Sequence, residues 1–259
     1  MKDSSHWYDH DGKAVFEVPA VKGGMRSTTI RDARKMNLYP SVTTVMGVLS
    51  KGALDRWKLE QVALAAYKQR VALHLSQDEY VKNLIDAAFE QVEDAADLGT
   101  DIHKALEDHF QGRSHAPQMD PYVQAVQKWT WENKVKFLKH ELRLVSTFHG
   151  YAGTTDAIID CPRGLGILDF KSRKTKPGVA VEPYDTQKMQ IAAYRQAALS
   201  DTAIGCNVYI STTEPGRVDA VWYDPYELTK EWECFESCLK IWRHLKGYDP
   251  RGLGAPSEV

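Results

Sequence analysis

The residues best suited to chemistry in this 259-residue chain lie between positions 150 and 194. Asp169 and Lys171 stand two residues apart in an otherwise apolar run, so on a β-strand both side chains would point to the same face. Asp156 ends the preceding run, Gly-Thr-Thr-Asp. Two carboxylates followed by a lysine are the groups that metal-dependent hydrolysis of a phosphodiester requires.

Such hydrolysis needs an attacking water, stabilisation of charge on the phosphorus oxygens and help for the leaving oxygen, and Mg²⁺ held by oxygen ligands provides all three. Asp156, Asp169 and the backbone carbonyl of Phe170 could supply those oxygens. Lys171 could orient or activate the water, or offset developing charge. An isolated Asp-x-Lys is a weak signal, because a salt bridge on a solvated edge strand has the same pattern.

A histidine in a predicted helix from about 77 to 111 is a further candidate ligand. Gly99 interrupts this helix at a cost of about 1 kcal/mol relative to alanine, which predicts a kink or a close approach. His103 lies one turn later on the same face. From this pattern alone, a surface or satisfied core histidine is the commoner interpretation.

Apolar periodicity predicts a helical first half and a sheet-forming second half. An Asp-Gly turn predicts a hairpin near the N-terminus. Helices are predicted at 42–49, with Ser41 as N-cap, and at 53–71, 77–111, 122–137, 183–199 and 225–245. Strands are predicted at 141–146, 152–159, 165–171, 206–210 and 218–223.

The order of these elements predicts a mixed sheet. The turn at Pro162-Arg-Gly164 makes the two strands around it antiparallel, which brings Asp156 and Asp169 together. The strand, helix, strand passage from 165 to 210 predicts parallel pairing. Fold class is therefore mixed α/β, and the segments are 1–138 (hairpin and helices), 139–247 (core) and 248–259 (flexible tail), forming one compact unit.

Composition sets limits on partners and location. A net charge of −2 gives no overall basic footprint for nucleic acid, so contacts would depend on local patches. The chain has no apolar run of about 18 residues and no secretory signal at its start, so we expect a cytoplasmic protein with no membrane partner. The four cysteines lack CxxC spacing, and we expect small buried residues rather than an iron–sulfur cluster.

Four motifs in fixed order resemble those of the RecB-like branch of the PD-(D/E)XK nuclease superfamily. They are Gly99-xxx-His103, Gly153-Thr-Thr-Asp156, Asp169-Phe-Lys171 and Gln190-xxx-Tyr194, and they cover about residues 95 to 200. Ser41-Val-Thr-Thr-Val and Leu54-xx-Trp57 more loosely resemble the helical region of phage-type and mitochondrial genome maintenance exonucleases. Thr155 stands where the superfamily name has proline, a variation common in this branch.

The resemblance implies a restriction-endonuclease-like core and assigns roles within it. His103, Asp156 and Asp169, with the Phe170 carbonyl, would bind Mg²⁺, and the softer histidine nitrogen would also admit Mn²⁺. Lys171 would be the catalytic lysine. DNA would meet Gln187, Gln190 and Tyr194 on one helical face, with Arg173 and Lys174 beside the site and basic residues such as Arg34 and Lys51 further away. Glu141 resembles a recurring family glutamate, and an exposed strand residue is the equal alternative.

The function implied is that of a metal-dependent deoxyribonuclease, first of all an end-dependent exonuclease on single-stranded DNA in replication, recombination or repair, in a bacterial or phage-infected cell. Resection of duplex ends is the near alternative. A non-catalytic DNA-binding module and a site-specific endonuclease are further alternatives. The sequence indicates no particular protein partner.

Overall fold

A five-stranded mixed sheet lies at the centre of the fold. The structure is a computed structural model that describes residues 5–21, 23–50, 52–68 and 75–252. The strands are β1 (Trp7–Tyr8), β2 (Glu17–Pro19), β3 (Met25–Ser27), β4 (Tyr39–Pro40), β5 (Lys136–Ser146), β6 (Tyr151–Cys161), β7 (Gly164–Arg173), β8 (Ile204–Ser211) and β9 (Val218–Tyr223). The helices are α1 (Ile30–Met36), α2 (Val42–Val45), α3 (Gly52–Lys68), α4 (Gln77–Phe110), α5 (Asp120–Glu132), α6 (Asp185–Ala198) and α7 (Pro225–Lys246), with 3₁₀ turns at Met46–Val48 and Pro117–Met119.

The central sheet follows chain order, β5-β6-β7-β8-β9. Strands β5, β6 and β7 are antiparallel, as are β8 and β9, while β7 and β8 are parallel and joined through α6. The antiparallel pairing of β6 with β7 and the parallel crossover from β7 to β8 are the pairings that the sequence predicts. The mixed α/β fold with a central mixed sheet flanked by helices is therefore confirmed.

Each face of the sheet carries its own hydrophobic core. Alternate strand residues turn to opposite faces, so neighbours such as Ile167 and Leu168 enter different cores. Helices α6 and α7 cover the first face, where Ile191, Phe235 and Trp242 are buried. The second half of α4 and α5 cover the other face through residues such as Ile102 and Val126.

Local signals begin and end the helices. The Ser41 hydroxyl accepts a hydrogen bond from the Thr44 amide at 3.0 Å, which confirms Ser41 as an N-cap. Helix α4 starts with a reciprocal Ser76–Glu79 capping box, and α7 ends at Gly247 in the left-handed conformation.

The boundary between α5 and β5 differs from the sequence prediction. The predicted helix extends to residue 137, but α5 ends at Glu132 and β5 already begins at Lys136. Lys134 has a φ of 52°, a left-handed conformation that breaks the helix. Phe137 is therefore a strand residue, followed by a register shift before Lys139.

The N-terminal segment is anchored to the first core. Trp7 is buried and packs on Trp242 of α7, with ring centroids 6.0 Å apart. The Asp-Gly turn forms, with Gly12 at a φ of 79° and a bridge between Tyr8 and Ala14, while β1 pairs with β4. The predicted flexible tail falls mostly on residues 253–259, outside the described residues. None of the helices in the described ranges has the length and apolar character needed to cross a membrane.

A glycine in β8 allows α6 to pack on the sheet. A Cβ at Gly205 would collide with the Ile191 side chain and lie 3.1 Å from Leu228 Cδ1 and 3.4 Å from Tyr223 Cδ2. This close approach holds α6 and α7 against the strand that borders the candidate site.

We expect Gly205→Ala to lower the free energy of unfolding by about 1–3 kcal/mol, because the added methyl overpacks a site closed on three sides. Gly47→Ala is the matched control, since a Cβ there meets nothing within 4 Å. The control should be neutral or stabilising by up to about 1 kcal/mol. Urea denaturation of both variants measures the difference, and equal effects would contradict the packing role of Gly205.

Candidate active site

The two aspartates lie where β6 and β7 part. Regular pairing of these strands ends at Ala157 opposite Leu168, one residue before each aspartate. Beyond that point the Phe170 amide donates to Asp156 Oδ2 at 2.6 Å. The Thr155 hydroxyl donates to the Leu168 carbonyl at 3.4 Å. Side-chain hydrogen bonds thus replace backbone pairing beyond this point. The Phe170 amide and the Leu168 carbonyl therefore keep partners although the strands separate.

Helix α4 brings His103 to this opening. Its Nδ1 lies 3.6 Å from Asp156 Oδ2, and its ring meets Phe170 edge-on. Ile102 and Leu106, on either side along the helix, are fully buried against the sheet and fix the rotation of α4. The proposed third ligand is therefore close to the first carboxylate, although 53 residues separate the two in sequence.

Gly99 provides a close approach between α4 and β7. The helix continues through Gly99, and a Cβ there would lie only 2.7 Å from the Ser172 hydroxyl oxygen. Of the two explanations that the sequence leaves open, the structure supports the close approach. A larger residue there would have to displace the Ser172 hydroxyl, which lies between the helix that carries His103 and the strand that carries Asp169.

Asp169 is held by two donors on one oxygen. Lys171 Nζ lies 2.5 Å from Asp169 Oδ2, and Asn207 Nδ2 donates to the same oxygen at 3.2 Å. Asp169 is only 4% exposed, and Asn207 lies beside it on the parallel strand β8. The predicted shared face of Asp169 and Lys171 is present.

Charge is unequally distributed over the site. Burial works to raise the pKa of Asp156, but the hydrogen bond and charge of His103 outweigh it and the pKa is lowered. Burial raises the pKa of Asp169, and the charge of Asp156 adds to this beyond what Lys171 offsets. Burial alone would lower the pKa values of His103 and Lys171, but the two carboxylates raise both. The charged and hydrogen-bonding partners thus outweigh burial in setting the pKa of Asp156, whereas burial outweighs them at Asp169.

Glu141 sits at the edge of the same opening in an unusual conformation. Its φ is 45°, which is strained for a residue other than glycine. It borders a small cavity together with His103, Glu107 and Asp156. Loss of hydration there, with the negative charges of Asp156 and Glu107, raises the pKa of Glu141 to about 7. Glu141 is exposed on β5, so both the role of a family glutamate and that of an exposed strand residue remain predictions.

Two of the predicted DNA-contacting residues lie inside the protein. Gln190 and Tyr194 are 8% and 4% exposed, and Gln190 Nε2 donates to the Tyr194 hydroxyl at 2.9 Å. Gly153 makes room for the Tyr194 ring, because a Cβ there would lie 2.7 Å from Tyr194 Cε1. This part of α6 is a packed surface rather than an open polar face.

The other predicted contacts are nearer to solvent. Gln187 is half-buried, and its side-chain oxygen accepts from the Tyr184 amide and the Tyr209 hydroxyl. Arg173 lies over the Tyr184 ring at 4.6 Å, and Lys174 is exposed. Further away, Arg34 donates to the Lys246 carbonyl at the end of α7, and Lys51 lies outside the described residues.

Sequence analysis missed the polar residues of β8 and β9 that surround Asp169. Asn207 and Tyr209 are almost completely buried, and the Tyr223 hydroxyl donates to Asn207 Oδ1 at 2.9 Å. A single asparagine within the apolar run Cys206-Asn-Val-Tyr-Ile210 is the available signal, since a polar group in a buried strand must find a hydrogen-bonding partner.

The donor types suit a divalent cation. The two carboxylates are oxygen ligands that suit Mg²⁺ or Mn²⁺, whereas the imidazole is a softer ligand that suits Mn²⁺ better than Mg²⁺. Two ligand atoms at right angles around such an ion lie about 3 Å apart, close to the His103–Asp156 separation of 3.6 Å. Burial first, and then the charge of Asp156, raises the pKa of Asp169, so a cation beside it would favour the ionised carboxylate. Within the described ranges, no three His, Cys, Asp or Glu side chains already stand as a metal-binding group.

Two solved structures illustrate how distant the known likenesses of the chain are. No family model and no curated protein matches the chain. An alkaline exonuclease (LHK-Exo) from Laribacter hongkongensis is 14% identical, with 80% of this chain and 91% of that chain covered and a TM-score of 0.38. SSO0001 is 14% identical, with coverages of 70% and 84% and a TM-score of 0.31. Likenesses this weak carry no assignment of activity, so the chemistry is argued from the residues of this chain.

The His103–Asp156 contact should make stability depend on pH in the metal-free protein. Because the folded pKa of His103 is raised above 6.5, the stabilisation is complete below that value and is lost as pH rises through the folded pKa. Asp156, whose pKa is lowered from 3.8, supplies its charge throughout this range. We expect His103→Gln to cost more unfolding free energy at about pH 5.5 than at about pH 8.5, measured by urea denaturation in EDTA. A cost independent of pH would show that the two side chains do not interact.

Proposed function

We propose that the chain is a metal-dependent deoxyribonuclease that hydrolyses phosphodiester bonds. The observation that carries the proposal is the convergence of His103, Asp156, Asp169 and Lys171, from one helix and two strands, on the opening between β6 and β7. The four side chains interact electrostatically although burial opposes every charge. Ionisable groups gathered at such a desolvation cost are typical of sites that bind ions or perform chemistry.

Space for a substrate lies directly beside these groups. A cleft of ≈ 430 Å³ opens between α4 and the end of β7, lined by Gly99, Thr100, His103, Lys171 and Ser172. A phosphodiester in this cleft would lie within reach of the lysine and the proposed metal ligands. We propose that DNA enters here, with Arg173, Lys174 and Gln187 as phosphate or sugar contacts near the end of β7. Direct contacts by Gln190 and Tyr194 remain a prediction.

Each residue has a distinct proposed part in the reaction. His103, Asp156 and Asp169, with the Phe170 carbonyl, would hold Mg²⁺ or Mn²⁺. The ion, when bound, supplies charge stabilisation to the phosphate and acidifies water. Lys171, ion-paired with Asp169, would offset developing negative charge and orient or activate the attacking water.

The finer proposal is an end-dependent exonuclease on single-stranded DNA, working in replication, recombination or repair in the cytoplasm of a bacterial or phage-infected cell. The support is the motif set and the helical region before it, which resemble those of exonucleases with that activity. Duplex-end resection is the near alternative. A non-catalytic DNA-binding module is disfavoured, because such a module has no chemical need for an ion-paired lysine beside the buried Asp169 and the half-buried Asp156.

Removing the central charged groups should abolish cleavage. We expect Asp169→Asn and Lys171→Met to lower the rate of Mg²⁺-dependent cleavage by at least about a hundredfold, because each change removes charge at the reacting phosphate. Asp160→Asn and Lys139→Met are matched controls, since both residues are exposed elsewhere on β6 and β5. The measurement is nucleotide release from labelled single-stranded DNA, with circular dichroism to verify folding. Undiminished cleavage by either site variant would refute the proposed chemistry.

The form of the DNA that is consumed should distinguish the candidate activities. We expect linear single strands to be degraded with Mg²⁺ or Mn²⁺, circular single strands to persist and EDTA to stop the reaction. Cleavage of circular DNA would indicate an endonuclease, and preference for linear duplexes would favour resection. Binding without cleavage under any metal condition would favour the non-catalytic module.

A further inference from the structure

A buried hydrogen-bonded pair, Asn207 and Tyr223, lies behind Asp169 on the side away from the cleft. Asn207 is 0% exposed in the central strand β8, and Tyr223 is 1% exposed at the end of β9. The Tyr223 hydroxyl donates to Asn207 Oδ1 at 2.9 Å, and Asn207 Nδ2 donates to Asp169 Oδ2 at 3.2 Å. A hydroxyl is thus connected to the carboxylate through one amide.

The direction of this chain of hydrogen bonds is fixed at its inner end. Burial, with the neighbouring Tyr209, raises the pKa of Tyr223 well above its ordinary value, so the hydroxyl keeps its proton and can donate. An amide oxygen accepts and an amide nitrogen donates, so a donor on Oδ1 turns the NH₂ group of Asn207 toward Asp169. Without Tyr223, the buried Oδ1 of Asn207 would lose this donor, and the amide would be held less firmly against Asp169.

The backbone places the pair in this geometry. Asp169 and Asn207 are direct neighbours in the parallel ladder, so their side chains share one face. Tyr223 stands opposite Gly205, two residues before Asn207, and the missing side chain at Gly205 leaves room for its ring. The hydroxyl therefore reaches diagonally across the strands to the amide.

We propose that Asn207, oriented by Tyr223, is a positioning residue that fixes the Asp169 carboxylate for cation binding. The inference rests on the proposed function, in which Asp169 is a metal ligand. Asn207 and Lys171 both hold Oδ2, so the carboxylate plane is fixed and Oδ1 is the oxygen presented to the ion. Partners that hold a ligand from behind commonly contribute ten- to a hundredfold to metal affinity.

The test uses Mn²⁺ alone as the probe and the full-length protein without DNA. We expect Tyr223→Phe and Asn207→Ala each to weaken Mn²⁺ binding about tenfold or more by isothermal titration calorimetry. In cleavage assays both should lower kcat while KM for DNA stays unchanged, because the pair does not face the cleft. The double variant should be no worse than Asn207→Ala, since Tyr223 acts only through the amide.

Tyr151→Phe is the matched control. Tyr151 is equally buried, and its hydroxyl donates to the Ala193 carbonyl at 2.7 Å, so this variant loses a buried hydrogen bond that does not lead to Asp169. We expect a lower Tm with unchanged Mn²⁺ affinity. Tyr223→Phe removes a single oxygen, so it still tests the proposal if Asn207→Ala fails to fold.

The outcomes separate this inference from the function on which it rests. If the wild type binds Mn²⁺ and cleaves DNA, but Tyr223→Phe matches Tyr151→Phe in Mn²⁺ affinity and kcat, the positioning role is refuted and the nuclease remains. If the wild type neither binds Mn²⁺ nor cleaves DNA, both proposals are refuted.

Discussion

The candidate site depends on the separation of two hydrogen-bonded strands. Where β6 and β7 part, the Asp156 carboxylate accepts the Phe170 amide that would otherwise lack its ladder partner. One side chain therefore closes the end of the ladder and lines the small cavity beside His103. Because an unpaired buried amide costs roughly 1–3 kcal/mol, the fold itself favours an acceptor at this position. The proposed metal binding and the folding of the sheet thus both use the Asp156 carboxylate.

The opening also joins the two faces of the sheet. Asp169 lies on the face covered by α6, whereas His103 comes from α4 on the opposite face. In a continuous sheet the backbone would keep such residues apart. The gap beyond Ala157 lets the imidazole approach Asp156, and Gly99 lets its helix come near enough. Both cores are therefore needed to assemble the site, which argues against an independent catalytic hairpin.

Residues that act through local spacing were predictable from the sequence, and those that act through packing were not. Asp169 and Lys171 share a face because of the strand period, and the turn at 162–164 brings Asp156 beside them. No sequence motif marks Asn207, because its contact with Asp169 depends on the pairing of neighbouring strands rather than on spacing within its own strand. The sequence also predicts too late a start for β5, because the register shift after Phe137 disrupts the alternation of apolar and polar residues that predicts a strand.

The burial of Gln190 and Tyr194 does not follow from their spacing, because a polar side chain on a regular helical stripe can be buried as well as exposed. The Gln190 amide donates to the Tyr194 hydroxyl, so the two side chains at the predicted ligand-binding spacing form a hydrogen bond inside the protein.

The packing of helix α4 limits where the chain can vary in length. Its rotation is set near His103, where Ile102 and Leu106 are locked into the sheet. The part before Gly99 pairs with α3 through a separate small cluster that includes Ala65 and Leu84. Insertions or deletions in that distal pair would therefore change its reach without turning His103 away. Length variation across homologous sequences should accordingly be concentrated before Gly99 and be absent from the turns that follow.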